Sequence, residues 1–229
     1  MASVNLERRA EIGREKRGRT KAQLVAAAKD LFSLRSWETV TIDEVVQAAG
    51  VAKGTFYGHF NDFDELTAAV ADDLLETFDG LIQPQRLSLT DPLLRIAFGC
   101  DAFLRQSLAN RPWASLASRM AMSHRALGRL LRRRLLEDLR RALKESKAGL
   151  TPELATELVV GVTLQVAAAI GEGRLGESDR PEAVRCLLHA IGVDKRDAAS
   201  IVARLEGLAR HMPQGEAPSQ STSEAGGAD

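Results

Sequence analysis

The spacing of apolar residues constrains this chain most, because it follows the period of an α-helix through most of its length. In one C-terminal segment, Ala198, Ile201, Val202, Leu205 and Leu208 follow an i, i+3, i+4, i+7 pattern. Runs that alternate polar and apolar residues do not exceed three or four positions. Aromatic residues make up only 4% of the chain, whereas strand-rich cores draw on aromatic and β-branched residues. The sequence therefore predicts an all-α protein with about nine helices.

Prolines and their neighbours predict where several helices begin. Proline is tolerated in the first turn of a helix, where its missing N–H has no partner within the helix. Asp91-Pro92 and Thr151-Pro152 are therefore predicted to be a helix cap followed by the first helical residue. Asn110 is predicted to cap a helix that begins near Pro112.

Composition excludes several functional classes. The 31 basic residues equal the 31 acidic ones, so the chain is not a globally polycationic nucleic-acid coat protein. The two cysteines, Cys100 and Cys186, form neither a disulfide framework nor a CxxC motif, and we expect buried, reduced thiols.

Histidines are scattered, so neither a metal nor a cofactor is expected. Residues 171–176 match GxGxxG but follow a helix instead of a strand, which excludes dinucleotide binding. No catalytic motif is visible, and the chain is not expected to be an enzyme.

The two ends differ from the middle. Residues 1–19 are charged and lack apolar periodicity, which predicts a flexible basic arm. Residues 213–229 contain no branched aliphatic or aromatic residue, which predicts a disordered tail. The N-terminus lacks the apolar stretch of a secretory signal. The most apolar window, residues 159–170, is shorter than the roughly 20 residues of a membrane span. We therefore expect a cytoplasmic protein without a membrane partner.

A basic cluster next to a helix-turn-helix pattern indicates nucleic-acid binding. Between Arg8 and Lys21 the chain has seven cations and two anions, which suits an anionic polymer. Thr41 and Glu44 form a predicted capping box at the start of a short helix that ends at Gly50. A second short helix follows at once. Two short helices broken by a glycine turn are typical of DNA-binding helix-turn-helix modules.

The second short helix has an apolar side and a polar side. Phe56 and Phe60 are i, i+4 neighbours and are predicted to anchor it to the core. Gly54 lets the backbone approach a phosphate or a groove wall. The hydrogen-bond donors around this glycine are Lys53, Thr55, Tyr57 and His59.

Residues 41–60 resemble the N-terminal domain of TetR-type (TetR/AcrR-like) transcriptional regulators, whose typical run is G-V-S-x-G-T-L-Y-x-H-F. The matching run here is Gly50-Val51-Ala52-Lys53-Gly54-Thr55-Phe56-Tyr57-Gly58-His59-Phe60. The resemblance implies that Thr41 caps its helix and touches phosphate. It also implies that Lys53, Gly54 and Thr55 face base edges or backbone, and that Tyr57 and His59 bond phosphates.

Four positions depart from the family pattern. Ala52 stands where serine is common, Phe63 where lysine is common, Val46 where alanine is usual, and Asp43 where some members carry a cation. Since DNA would repel Asp43, we infer binding that depends more on the N-terminal arm. Arg17 and Arg19 of that arm are then expected in the adjacent minor groove.

The resemblance also implies the organisation of the rest of the chain. The basic arm (1–19) precedes a DNA-binding domain (20–66), and a linking helix continues to about residue 78. A helical domain over 79–212 would bind a ligand and dimerise through about 151–211, where residues 159–170 are apolar nearly all round. The pocket candidates are Phe98, Phe103, Trp113, Met120 and His124.

Two functional hypotheses follow. The first is a homodimeric transcriptional regulator, in the repressor sense that the resemblance implies, which binds a palindromic double-stranded DNA operator and is released by a small-molecule effector. The alternative is a helical ligand-binding or adaptor protein whose DNA-reading head has lost affinity. The residues that would account for such a loss are Ala52, Asp43 and Phe63.

Overall fold

A computed structural model of the chain describes residues 2–123, 129–144 and 149–209. These residues form α-helices and two short 3₁₀ turns, and no strand occurs among them. The all-α prediction is confirmed, and the described part contains ten helices instead of about nine. They are α1 (Ala2–Leu34), α2 (Ile42–Ala49), α3 (Lys53–Tyr57), α4 (Phe63–Ser88), α5 (Pro92–Ala109), α6 (Arg111–Ser123), α7 (Arg129–Ala142), α8 (Pro152–Gly171), α9 (Arg180–Ala190) and α10 (Lys195–Ala209).

The prediction of a flexible arm over residues 1–19 is wrong for the described part of that segment. Helix α1 begins at Ala2 and continues without a break to Leu34. Its first half contains no proline and many Arg, Lys, Glu and Ala residues, which are good helix formers. Pairs such as Glu15 and Arg19 add favourable i, i+4 spacing. The segment lacked apolar periodicity because its described side chains are solvent-exposed, not because it is unstructured.

The linking helix is also longer than predicted. Helix α4 passes residue 78 and ends at Ser88, with Pro84 inside it. An interior proline removes one backbone hydrogen bond at a cost of about 3 kcal/mol. Buried neighbours, including Phe78 and Ile82, hold the helix in place across that break. One continuous helix therefore joins the N-terminal helices to the C-terminal bundle.

The predicted helix starts are confirmed. The Asp91 carboxylate accepts hydrogen bonds from two backbone N–H groups of α5, at 2.9 and 3.4 Å. The Thr151 hydroxyl accepts one from the Leu154 N–H at 3.2 Å. The Asn110 side-chain oxygen accepts one from the Trp113 N–H at 2.9 Å.

Helix α5 forms the centre of the C-terminal bundle, where it packs against α4, α6, α7, α8, α9 and α10. A buried ion network joins three of these helices. Arg180 of α9 is only 3% exposed and binds the carboxylates of Asp101 on α5 and Glu206 on α10, the latter at 2.7 Å. This network fixes α10 against the bundle.

That packing corrects part of the predicted dimer surface. The apolar stripe of α10, which includes Ile201, Val202 and Leu205, is buried inside the subunit against α5 and α9. Helix α8 differs, since one face carries exposed or half-exposed Leu154, Leu158 and Gly161.

Helix α8 also has the length and composition of a membrane span. Its 20 residues contain an 18-residue window with a mean hydropathy of 1.7, of which 33% is buried. The predicted 12-residue apolar window therefore understated its apolar length. Core helices of soluble proteins pass the same test, and α8 packs against α5, α6, α7 and α9.

Candidate nucleic-acid interface and internal cavity

The start of α2 is held by the predicted capping box. The Thr41 N–H donates to Glu44 Oε2 at 2.9 Å, and the Glu44 N–H donates to Thr41 Oγ1 at 3.4 Å. The Thr41 N–H, together with Arg35, lowers the pKa of Glu44 to about 2. At the other end of α2, Gly50 adopts the left-handed conformation (φ 65°) that lets α3 begin three residues later. The angle between α2 and α3 is therefore set by local interactions.

Two phenylalanines anchor α3, as predicted. Phe56 and Phe60 are almost completely buried, and their ring centroids lie 5.6 Å apart. The neighbouring Tyr57 ring contacts Phe56 edge-on at 5.3 Å, while 54% of Tyr57 is exposed. Phe56 thus orients the tyrosine ring and leaves its outer part in solvent. The Nζ of Lys21 on α1 lies 5.4 Å from the centre of the Phe60 ring and covers it.

The remaining candidates on α3 lie on or beside its outer surface. Lys53 and Gly54 are exposed, Thr55 is half-buried, and a methyl group added at Gly54 would meet open space. Ala52 is the residue before the helix and has no side-chain oxygen, so its cap consists of its carbonyl, which accepts from the Thr55 N–H at 2.8 Å. The exposed backbone at Gly54 is accessible to a large partner.

Asp43 is bound to Lys53 in this structure. The Lys53 Nζ lies 2.8 Å from Asp43 Oδ1, and both side chains are largely exposed. The hydrogen bond to Asp43 raises the pKa of Lys53. The sequence indicated Asp43 as a lone repulsive anion, whereas the fold pairs it with the first residue of α3.

The extended α1 contributes a basic groove beside α3. A shallow groove is lined by Gly13, Arg14, Lys16, Arg17 and Thr20 of α1 and by the half-buried His59. Arg17 lines this groove, and its contact with DNA stays a prediction. Arg19 is exposed but points elsewhere, since it does not line this groove. Arg14 and Lys16 belonged to the predicted basic cluster but not to the predicted DNA contacts, and the helical i, i+3 spacing of Arg14 and Arg17 is the signal that could have added Arg14.

Phe63, the third departure from the family pattern, has a packing role. Its ring contacts Phe32 of α1 edge-on, with centroids 5.9 Å apart. Phe63 is the first residue of α4, and its packing ties that helix to α1. A cationic side chain at this position would lose the ring contact with Phe32.

A cavity of about 140 Å³ lies inside the C-terminal bundle, between α4, α5, α7 and α8. Its walls are mainly apolar, and α4, α5 and α7 each contribute at least one arginine. The apolar lining includes Leu75, Phe78, Ile82, Ile96, Phe103, Leu135, Val159 and Leu164, and the polar lining includes Asp79, Arg86, Arg95, Arg132, Arg134 and Thr163.

Of the five predicted pocket residues, Phe103 lies on the cavity wall. Phe98 and Met120 are buried core residues outside the cavity lining, and Trp113, also outside it, packs against the Phe103 ring with centroids 4.9 Å apart. His124 lies outside the described residues. Aromatic and methionine content alone did not separate lining residues from core, because both are equally apolar. Among the described residues, no group of three His, Cys, Asp or Glu side chains could hold a metal ion.

Comparisons with known sequences place the N-terminal segment in one family. The family model for bacterial regulatory proteins of the tetR family matches residues 24–70. The HTH-type transcriptional regulator HbdR of Aromatoleum sp. (strain CIB) is 32% identical over 109 residues, 48% of each chain. TtgR of Pseudomonas putida, also an HTH-type transcriptional regulator, is 38% identical over 68 residues, which cover 30% of this chain and 32% of that protein. The matches thus span about half the length of these relatives or less.

Solved structures are similar over more of the chain. RolR in complex with resorcinol has a TM-score of 0.65 and 28% identity, covering 83% of this chain and 96% of that one. The TetR family protein CprB from S. coelicolor A3(2) has a TM-score of 0.52 and 22% identity, covering 82% and 98%, and supports the fold alone.

The head built from the capping box, the Gly50 turn and the phenylalanine-anchored α3 coincides with the matched segment. The helices that follow match those of the solved relatives. Regulators of this kind are transcription factors and not enzymes. Residues 24–70 therefore match the N-terminal domain of the tetR family of bacterial regulatory proteins.

Proposed function

We propose that this chain is a homodimeric transcriptional repressor that binds a palindromic DNA operator in the cytoplasm and releases it when a small molecule occupies the bundle cavity. The observation that carries the proposal is the exposed outer face of α3, which lies beside the basic groove of α1. Tyr57 offers a phenolic donor there, and Gly54 offers bare backbone. Arg14, Lys16 and Arg17 supply the positive charge that phosphate contacts require.

Two copies of the head are needed to read two half-sites. The exposed face of α8 supports a twofold interface, since Leu154 is 50% exposed and Gly161 has no side chain to keep a second helix away. Cys186 on the neighbouring α9 is exposed as well, contrary to the expectation of a buried thiol. We propose that α8 and α9 of two subunits form a four-helix interface.

The effector site is proposed to be the cavity beside α4. RolR, one of the similar structures, holds resorcinol, which supports a small organic effector. Helix α4 lines the cavity with Phe78 and Ile82, and its first residue, Phe63, packs on α1 of the head. A ligand that prefers one position of α4 would change the spacing of the two heads. Ligand binding then lowers the affinity for the operator, and operator binding lowers the affinity for the ligand by the same factor.

Operator binding is tested by fluorescence anisotropy with a labelled fragment from the region upstream of the coding sequence. We expect tight binding that weakens by several orders of magnitude between about 50 and 200 mM salt, as six to ten phosphate contacts imply. Tyr57→Ala should weaken binding at least roughly tenfold, since it removes an exposed donor and leaves Phe56 in place. Arg196→Ala, on the exposed start of α10, is the control for surface substitution and should bind as the wild type does.

A random-sequence selection follows if the upstream fragment does not bind. Recovery of a palindromic sequence would support the regulator and place its operator elsewhere. A selection that enriches nothing, with the fold intact by circular dichroism, would favour the ligand-binding or adaptor protein with a silent head.

The proposed interface is tested with Gly161→Arg. A side chain at Gly161 meets open space within the subunit, so the subunit should fold, but an arginine there would project into the second α8. Gly80→Arg, at an equally open exposed glycine of α4, is the matched control. Light scattering should show dimers for the wild type and for Gly80→Arg, and monomers for Gly161→Arg. A monomeric wild type, or a dimeric Gly161→Arg, would contradict the interface.

A further inference from the structure

The cavity has an apolar end and an arginine end. Helices α4 and α5 are joined by a short turn and run in opposite directions, so Arg86 near the end of α4 lies close to Arg95 near the start of α5. Both guanidinium groups bind Asp138 of α7, at 2.5 and 3.4 Å. At the other end, the Phe78 and Phe103 rings meet edge-on at 5.2 Å.

Within the described part of the chain, the positive charge at the arginine end is only partly compensated. Asp138 is a single carboxylate between two guanidinium groups, and it is itself 3% exposed. The other two lining arginines each have a partner of their own, since Arg134 binds Asp79 and Arg132 binds Glu157. Counted over the described residues, the four arginines pair with three carboxylates, so one positive charge remains. In a partly buried site such a charge attracts an anion more strongly than it would in water.

The other polar groups of the wall are compatible with an anion. Burial raises the pKa of the Cys100 thiol to about 11, so it stays protonated and adds no negative charge. Asp79, the one carboxylate among the described lining residues, is already paired with Arg134. A cationic ligand would therefore have to displace an arginine to find a carboxylate.

The volume limits the apolar part of the ligand to one ring. A cavity of about 140 Å³ is close to the roughly 150 Å³ of an engineered apolar cavity that binds benzene. The Phe78 and Phe103 rings offer edges and faces to an aromatic guest at its apolar end.

We propose that the cavity binds a small aromatic monocarboxylate, with its carboxylate at Arg86 and Arg95 and its ring against Phe78 and Phe103. This inference rests on the proposed function in taking the cavity as the effector site. The chemistry of the cavity walls assigns the class of ligand independently of which operator is bound.

Calorimetry on the full chain with three probes of nearly equal size tests the class. Benzoate is the anion, benzamide its neutral counterpart, and benzylammonium the cation. We expect benzoate to bind roughly tenfold more tightly than benzamide, because its hydrogen bonds to guanidinium are charge-assisted. Benzylammonium should bind more weakly than benzamide. Equal or tighter binding of benzamide or benzylammonium would overturn the proposal, as would the absence of benzoate binding at millimolar concentration.

Two variants locate the site. Arg95→Gln should abolish the preference for benzoate over benzamide, whereas Arg204→Gln, at an exposed arginine of α10, should keep it. A second variant, Gly99→Leu, tests the location of the site without removing an arginine that the fold uses. Gly99 lines the cavity and a side chain there meets open space, so leucine should fill the cavity and block benzoate without unfolding the bundle. Gly80→Leu, outside the cavity on α4, is the matched control. A retained preference in Arg95→Gln, or retained binding in Gly99→Leu, would place benzoate elsewhere.

DNA binding distinguishes a failure of this inference from a failure of the proposed function. Benzoate bound at Arg95 without any change in operator affinity would keep the ligand class and remove the effector role. Operator release by a neutral or cationic ligand, with benzoate inactive, would keep the regulator and overturn the ligand class.

Discussion

The outward side chains of α3 lie within five residues of one another, whereas the walls of the cavity come from residues between Leu75 and Leu164 on separate helices. In the head, two of the candidate residues are positioned by near neighbours in the chain: Thr41 by Glu44, and Tyr57 by Phe56. In the bundle, residues far apart in the chain meet only after the helices have packed. A binding surface can therefore be built from local interactions, while an internal cavity depends on long-range ones.

The same contrast applies to charge. In the head, the ion pair between Lys53 and Asp43 is exposed and contributes little to stability. In the bundle, Arg180 and Asp101 are buried and pair with each other and with the half-exposed Glu206, and removing one partner of a buried ion pair strongly destabilises a protein. Charges in the head are thus available to a partner, whereas charges at the centre of the bundle maintain the fold.

The largest expected effect separates the two regions. Phe56→Ala should destabilise the head by about 3–5 kcal/mol, because it removes a fully buried ring that anchors α3. DNA binding should be lost, while the bundle keeps its ligand. The chain has two tryptophans, Trp37 near the head and Trp113 in the bundle, so urea unfolding followed in Trp37→Phe and Trp113→Phe backgrounds reports each region. Equal destabilisation at both tryptophans would show that the regions unfold as one unit.

Arg180→Ala should have the next largest effect and should act on the bundle. The change removes the buried guanidinium that joins Asp101 and Glu206, and leaves both carboxylates with the more exposed Arg105, at 2.7 and 3.4 Å. We expect a loss of about 3 kcal/mol in the free energy of unfolding, seen at Trp113. Arg204→Ala on α10, which is largely exposed, is the control and should change stability little. An unchanged denaturation midpoint for Arg180→Ala would contradict the role of the network.

Thr41→Ala tests the local frame of the head. Loss of the side-chain cap should lower the free energy of unfolding by about 1 kcal/mol. The lowered pKa of Glu44 adds a pH dependence: its contribution is complete above its ordinary pKa of 4.5 and is lost as the pH falls from there towards about 2. Thr41→Ala removes the hydroxyl that donates to Glu44 Oε2 at 2.9 Å but keeps the backbone N–H and Arg35, so the difference in midpoint between wild type and variant should shrink modestly across that range, as thermal scans at Trp37 would show. A difference that is constant or grows as the pH falls would exclude Glu44 as the source.

The smallest effect concerns the ion pair on α3. Asp43→Asn should release Lys53 for a phosphate, strengthen non-specific DNA binding several-fold and steepen the salt dependence by about one phosphate contact. Asp72→Asn makes the same change of charge at an exposed position of α4 and should have little effect. Weaker binding in Asp43→Asn would instead indicate that the carboxylate itself contacts the DNA, for example by accepting from a cytosine amino group.

Much of the head could be predicted from the sequence because its interactions are local. The capping box at Thr41, the turn at Gly50 and the burial of Phe56 and Phe60 each depend on residue types within a few positions. The starts of α5 and α8 were predictable for the same reason, since a cap followed by proline is a local signal.

The sequence by itself thus determined the helical class, the starts of several helices and the position of the helix-turn-helix module. Only the tertiary structure decided which apolar residues line the cavity, that Asp43 meets Lys53, and that the stripe of α10 is buried within the subunit. Apolar spacing indicates that a face of a helix is covered, but not what covers it. A cavity is the space that remains when several helices have packed, and no single segment encodes that space.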